Sequence, residues 1–213
     1  MHWIQKHILE QLMSHETRRF SELRAEGVES NLFQYHLRHL ITKKLVEKCN
    51  DGYRLAAAGL YYSDRYSRVY KGERPQPKLI TVVAVKDGAG KTLLYKKLRQ
   101  PWIDQLQMPA GKIHSGEMAD AAARREIYEK VGVAVDDVRF RSVVHVRITK
   151  DDVTVSDFVA FVFTAYGVEV SQGEGEWHDL ETAARAVLAP SVRELMEIES
   201  KGDGGFHVVD IKV

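Results

Sequence analysis

Three side chains within one short stretch have the types and spacing to do chemistry together. In MADAAARREIYEKVG, residues 118–132, Glu126, Glu129 and Lys130 stand at i, i+3 and i+4. The stretch reads as a helix, with three consecutive alanines, good helix formers around them and Gly132 to stop it. Residues three and four apart on a helix share a face. Two carboxylates one turn apart can hold a hard divalent cation such as Mg2+, with phosphate oxygens and water completing the shell. Lys130 changes that arithmetic, because an ammonium is itself a point-charge partner for phosphate. One reading has the lysine stand in for a metal's charge in a binding site. The other has an ordinary ion pair with Glu126, about 0.3–0.5 kcal/mol, beside a metal site.

The rest of the chain must position these groups. It has 213 residues, 44% hydrophobic and 29% charged, enough for one large domain or two small ones with real cores. Charge divides unevenly. Residues 1–76 hold 13 Lys and Arg against 9 Asp and Glu, a net +4, and the remaining residues hold 18 against 21, a net −3. The break falls at KGERPQPK, residues 71–78, where two prolines and a run of charge argue against helix and strand alike. We place domains at 1–72 and 73–213. The single cysteine, Cys49, excludes an internal disulfide and a cysteine-built zinc site, and fits a reducing cytoplasm. MHWIQKHILEQL is too polar for a signal peptide, and the longest apolar run, FVAFVF at 158–163, is too short for a bilayer. The expectation is a cytoplasmic protein with no membrane partner.

In the first domain, Ile4, Ile8, Leu9 and Leu12 share one helical face, and a short second helix follows near residues 20–28. Ser30 reads as the N-cap of a third helix, with Phe33, Leu37, Leu40 and Ile41 on its inner stripe. Asn31, Tyr35, Arg38 and Thr42 share the opposite face. VEKCNDGYRLA then carries a hairpin signal at Asn50-Asp51-Gly52. Three helices and a hairpin resemble a winged helix-turn-helix. That resemblance implies a third helix in a DNA major groove, with Asn31, Tyr35 and Arg38 at base edges or phosphates and Lys43, Lys44 and Arg54 on the backbone. The alternative is a solvated face on a domain that binds protein or dimerises. Residues 56–70 read as a further helix whose tyrosines supply a dimer interface or pack as a linker.

In the second domain, strands are expected over 79–88 and 91–98, and a last strand at the C-terminus. DGAGKT at 87–92 imitates a phosphate loop, but Val85 stands where its first glycine is required, and the segment reads as a hairpin turn.

Residues 111–133 resemble the Nudix family box, Gly-x5-Glu-x7-Arg-Glu-U-x-Glu-Glu-x-Gly-U, where U is a bulky aliphatic residue. Gly111, Glu117, Arg125, Glu126, Ile127, Glu129, Gly132 and Val133 match. Lys130 is the departure. The resemblance implies an α/β/α sandwich with a mixed sheet, so the whole reads as α/β, preceded by the small winged domain. It further implies that Glu126, Glu129 and the Gly111 carbonyl ligate Mg2+, weakly or at a single site here. Arg125 and Glu117 would support those carboxylates. In GEGEW, residues 173–177, Glu174 would add a ligand or act as general base. Trp102, just before the box, could stack a base or simply pack.

A winged helix joined to an altered Nudix box resembles the Nudix-related transcriptional regulators. The expectation is a homodimeric, DNA-binding sensor of a nucleoside diphosphate derivative such as ADP-ribose, with weak or no hydrolysis. The alternative is an active Mg2+-dependent Nudix pyrophosphohydrolase whose N-terminal domain serves dimerisation or interaction.

Overall fold

The computed structural model describes residues 1–67, 69–166 and 175–213. The chain divides into two compact units, Met1–Gln76 and Pro77–Val213.

The first unit runs α1 (Trp3–Met13), α2 (Phe20–Leu23), α3 (Ser30–Thr42), β1 (Val46–Cys49), β2 (Gly52–Leu55) and α4 (Ala57–Arg65), then two short strands, β3 (Tyr66–Ser67) and β4 (Gly72–Glu73). β1 and β2 form an antiparallel hairpin across the expected Asn50-Asp51 turn. Arg18, between α1 and α2, pairs its backbone with Tyr53 on β2 in both directions, adding a third short edge to the hairpin. Three helices and a wing anchored in this way make the winged-helix arrangement. Its core gathers Ile4, Ile8, Leu9, Leu12, Leu23, Phe33, Leu37 and Leu40.

Four local details differ from the sequence reading. Ser30 is the first residue of α3, the cap position belongs to Glu29, and no side chain caps that end. Ile41 is 36% exposed and lies at the edge of the inner stripe, while His36 is buried in its place. α4 stops at Arg65, because Tyr66 turns extended and pairs with Glu73. The charged stretch at 71–78 therefore carries one short strand, and the next begins at Lys78.

The second unit contains β5 (Lys78–Lys86), β6 (Thr92–Lys96), β7 (Leu106–Gln107), β8 (Ala110–Lys112), α5 (Ala119–Val131), β9 (Arg139–Lys150), β10 (Val153–Tyr166), β11 (Glu176–His178), α6 (Leu180–Ala183), α7 (Val192–Lys201) and β12 (Phe206–Lys212). The strand order is β11-β6-β5-β10-β9-β12, with β7 beside β6 and β8 beside β5. β10 runs parallel to β5 and β12 parallel to β9, and the other pairs are antiparallel, so the sheet is mixed.

At β5 both faces of the sheet are covered. Successive side chains on a strand point to opposite faces. Val83 and Val85 pack with Ala123, Ile127 and Val131 of α5. Val82 and Ala84 pack with Leu195 and Met196 of α7. A strand buried on both sides reads as a continuous apolar run, which is what VVAV, residues 82–85, is. Ile127 is fully buried, and burying such a side chain contributes roughly 1.5–3 kcal/mol. It therefore pins α5, and the charged residues beside it, to the sheet. Gly132 ends α5 in the left-handed conformation at φ 69° and donates its N–H to the Tyr128 carbonyl. Asp87–Lys91 forms the tight turn between β5 and β6, with the Asp87 carboxylate accepting from the N–H groups of Ala89 and Lys91.

Candidate functional site

Arg125 organises the charged face of α5. Its Nε and Nη2 donate to the two oxygens of Glu117 at 2.8 and 2.9 Å, a fork-on-fork pair. Nη1 donates to Glu126 at 2.6 Å and Glu129 at 3.3 Å, and Nη2 also reaches the Lys112 carbonyl at 3.0 Å. One guanidinium thus gathers three carboxylates and ties them to the end of β8. A planar, always-charged donor fork suits that task as a lysine does not.

Glu117 also accepts from the His114 N–H at 2.9 Å. The Arg125 hydrogen bonds, then that backbone bond, hold its carboxyl down to about 2. Arg125 itself is pushed further up, chiefly by Glu117. Because Glu117 has a depressed value, its contribution to stability is complete above its ordinary value of 4.5 and is lost as pH falls toward about 2. The gap in unfolding midpoint between wild type and Glu117→Gln should therefore be widest near neutral pH and should narrow at pH about 3. A gap constant over that range in thermal melts would rule this out.

Glu126 is 4% exposed. Its carboxylate lies directly over Gly111, where an added Cβ would stand 1.9–2.1 Å from the carboxylate atoms. Only glycine lets the carboxylate rest on the strand. Glu126 Oε1 is taken by Arg125. Oε2 has no hydrogen-bond donor and stands 3.5 Å from Lys130 Nζ. Lys130 and Glu129 are more open, with side chains 34% and 46% exposed. Three carboxylates and two cations leave the face with a net charge of −1.

Among the described residues no three His, Cys, Asp or Glu converge as ligands of a metal ion. The donor set nonetheless suits one hard cation. Glu126 Oε2 is a buried carboxylate oxygen without a donor, and Glu129 stands one turn along. Lys130 Nζ stands 3.5 Å from that same Glu126 oxygen. Glu174 lies outside the described residues.

On the opposite face of β5 and β8 is a cavity of about 230 Å³, with Trp102, Lys78, Lys97 and Lys112 around it and Gly111 in its wall. Lys112 joins the two regions, since its carbonyl holds Arg125 and its side chain lines the cavity. Sequence reasoning singled out Trp102 but missed the lysines. They come from three separate segments, and no spacing marks them.

In the first unit, Asn31, Tyr35 and Arg38 are exposed on α3 opposite Phe33, Leu37 and Leu40, and Tyr35 is 64% exposed. Lys43 and Lys44 are exposed just beyond the helix. Arg54, on the wing, is instead held by Glu47 at 2.6 Å, which uses part of its charge within the hairpin.

Comparison with known proteins places these features in a family. Residues 76–197 match the NUDIX domain model, and residues 4–63 match a domain of unknown function, DUF7347. An uncharacterized Nudix hydrolase of Bacillus subtilis, YvcI, is 30% identical over 123 residues, covering 55% of this chain and 76% of that protein. Among solved structures, a NUDIX hydrolase from Nitrosomonas europaea aligns with a TM-score of 0.51 at 17% identity, over 61% of this chain and 92% of that one. The NUDIX domain of Shewanella oneidensis NrtR, solved with ADP ribose, aligns with a TM-score of 0.50 at 16% identity, over 67% of this chain and 96% of that one. The family model spans more than half of the residues, including the whole box from Gly111 to Val133, and the chain belongs to the Nudix family.

Proposed function

We propose that the protein is a DNA-binding regulator whose Nudix unit binds a nucleoside diphosphate-linked metabolite with weak or no hydrolysis. The observation that carries this reading is Lys130 Nζ at 3.5 Å from Glu126 Oε2. An ammonium there supplies fixed positive charge to a bound diphosphate and competes with a cation for the same carboxylate. Arg125 positions Glu126 and Glu129 while Gly111 leaves room for the Glu126 carboxylate. Trp102 offers a flat wall to a base or sugar. A single divalent ion held by Glu126 and Glu129, when bound, supplies charge neutralisation at a phosphoryl oxygen.

DNA binding is supported by the winged-helix arrangement and by the exposed Asn31, Tyr35 and Arg38 row. The +4 charge of the first unit is modest, and phosphate contacts dominate affinity, so we propose a homodimer acting on double-stranded DNA. Glu126 Oε2, buried and accepting no hydrogen bond, favours the second reading, an active Mg2+-dependent pyrophosphohydrolase whose first unit serves dimerisation or interaction.

A mobility-shift titration on the protein's own upstream DNA separates the two. ADP-ribose is the natural first probe, given the ligand held by the structurally similar NrtR domain. A sensor must bind its ligand differently in the DNA-bound and DNA-free states. Saturating ADP-ribose should therefore move the DNA affinity at least about fivefold. Unchanged affinity across a panel of nucleoside diphosphate derivatives would remove the regulator reading.

A further inference from the structure

The cavity behind Gly111 holds positive charge that the protein itself does not balance. Lys78 Nζ donates to Ser156 Oγ at 3.0 Å and stands 5.7 Å from the centre of the Phe158 ring. Lys97 Nζ donates to the Pro101 carbonyl. Lys112 completes the group at the end of β8. Among the described residues no carboxylate lies within ion-pair distance of any of the three. The carboxylate that acts on Lys78 at longer range, Asp157, is already engaged by His145 Nε2 at 2.9 Å.

Lys78 faces both of the other ammonium groups. Although Lys78 is exposed overall, partial desolvation at the cavity, then Lys112, pushes it down, and burial, then Lys78, pushes the half-buried Lys97 down. Like charges gathered against a partly dry wall are unfavourable unless an anion joins them. The floor beneath is apolar, formed by Ile80, Val82, Met108, Phe158 and Leu195. At about 230 Å³ the cavity falls below the roughly 300–1,000 Å³ of sites that enclose a drug-sized ligand. It suits one moiety of a nucleotide-sized molecule, with the remainder outside it.

We infer that Lys78, Lys97 and Lys112 form an anion site for a sugar phosphate monoester, an acidic group additional to the diphosphate at the α5 face. The inference rests on the proposed diphosphate reading and narrows it, since ligands ending in an uncharged sugar leave the lysines unpaired. A phosphate monoester carries about −1.5 to −2 near neutral pH, enough to offset most of the three charges. Lys112 links the two ends, with its carbonyl on Arg125 and its side chain at the cavity.

The test is lysine acylation of the full chain followed by peptide mass spectrometry, with ribose 5-phosphate as probe and ribose as its uncharged counterpart. Saturating ribose 5-phosphate should slow labelling of Lys78 and Lys97 at least about fivefold, while ribose leaves both rates unchanged. Exposed Lys150, on β9, serves as reference and should label equally throughout. Lys97→Gln should weaken the protection that ribose 5-phosphate gives Lys78. Equal labelling with the two probes would overturn the proposal, as would full protection of Lys78 in the Lys97→Gln variant. A panel of nucleoside diphosphate derivatives, ADP-ribose among them, separates this failure from that of the broader reading. Ribose 5-phosphate protection without binding of any member of the panel sinks the diphosphate reading and keeps the anion site, and binding of the panel without ribose 5-phosphate protection does the opposite.

Discussion

Replacing Lys130 with glutamate is expected to raise Mg2+ affinity and to increase diphosphate hydrolysis about 10-fold or more, equivalent to about 1.4 kcal/mol of barrier. The charged face of α5 now carries Glu117, Glu126 and Glu129 against Arg125 and Lys130. Lys130→Glu takes its net charge from −1 to −3, beside the buried Glu126 oxygen that lacks a hydrogen-bond donor. Lysine and glutamate have similar helix propensities, so α5 should persist, at a cost of about 0.3–1 kcal/mol for an acid in its last turn. Two unit charges 4 Å apart interact by about 4 kcal/mol at an effective dielectric of 20. Lys130 is about one-third exposed, and solvent screening reduces that figure. The 10-fold estimate is a discounted share of it.

Glu126→Gln in the Lys130→Glu background should abolish the gain, because it removes an anionic ligand and keeps the shape over Gly111. The assay is Mg2+ titration together with nucleotide release from ADP-ribose and related diphosphates, wild type beside both variants. Brisk Mg2+-dependent turnover by the wild type, lost in Lys130→Glu, would show that the lysine takes part in the reaction and that the proposed sensor reading is wrong.

The site was legible where its determinants are local. Residues 119–131 fold as a helix for reasons held in the segment itself, alanine content and a glycine stop, and helical spacing alone brings Glu126 within reach of Lys130. β5 was legible because burial on both faces leaves no polar alternation. Legibility failed where position depends on distant partners. Lys78, Lys97 and Lys112 converge only because β5 pairs with β8 and the chain after β6 folds back over them. The Arg18–Tyr53 pairing that anchors the wing involves a single residue between two helices, too short for any periodicity. Ser30 resembles a cap by type, yet the helix begins one residue earlier in register, and cap residues are the least certain part of a sequence reading. α4 ends at Arg65 although its sequence could continue as a helix, because Tyr66 and Ser67 find strand partners in Gly72 and Glu73.

If the proposed DNA binding holds and Arg38 reads a base, Arg38→Ala is expected to weaken it by about 1–3 kcal/mol and to relax sequence preference at that position. Arg38 lies on the exposed row of α3 with Asn31 and Tyr35, and the buried Phe33, Leu37 and Leu40 hold that helix against α1. The substitution leaves the buried stripe intact and replaces arginine by the best helix former, so weaker binding cannot be assigned to unfolding if the melting temperature is retained. Lys43 and Lys44 provide the contrast. They stand past the end of α3, where the left-handed backbone of Lys44 at φ 55° turns the chain toward the wing. Neutralising them should weaken binding about equally on specific and random DNA, and should lower the salt slope by about one for each phosphate left without its lysine. Arg54, already held by Glu47, should contribute less than either lysine. Mobility-shift titrations at several salt concentrations, on the specific site and on a scrambled duplex, separate these effects. Equal binding by wild type and Arg38→Ala on both duplexes would remove α3 as the recognition helix. The exposed face of the first unit would then be left to a protein partner or to a second copy of the chain.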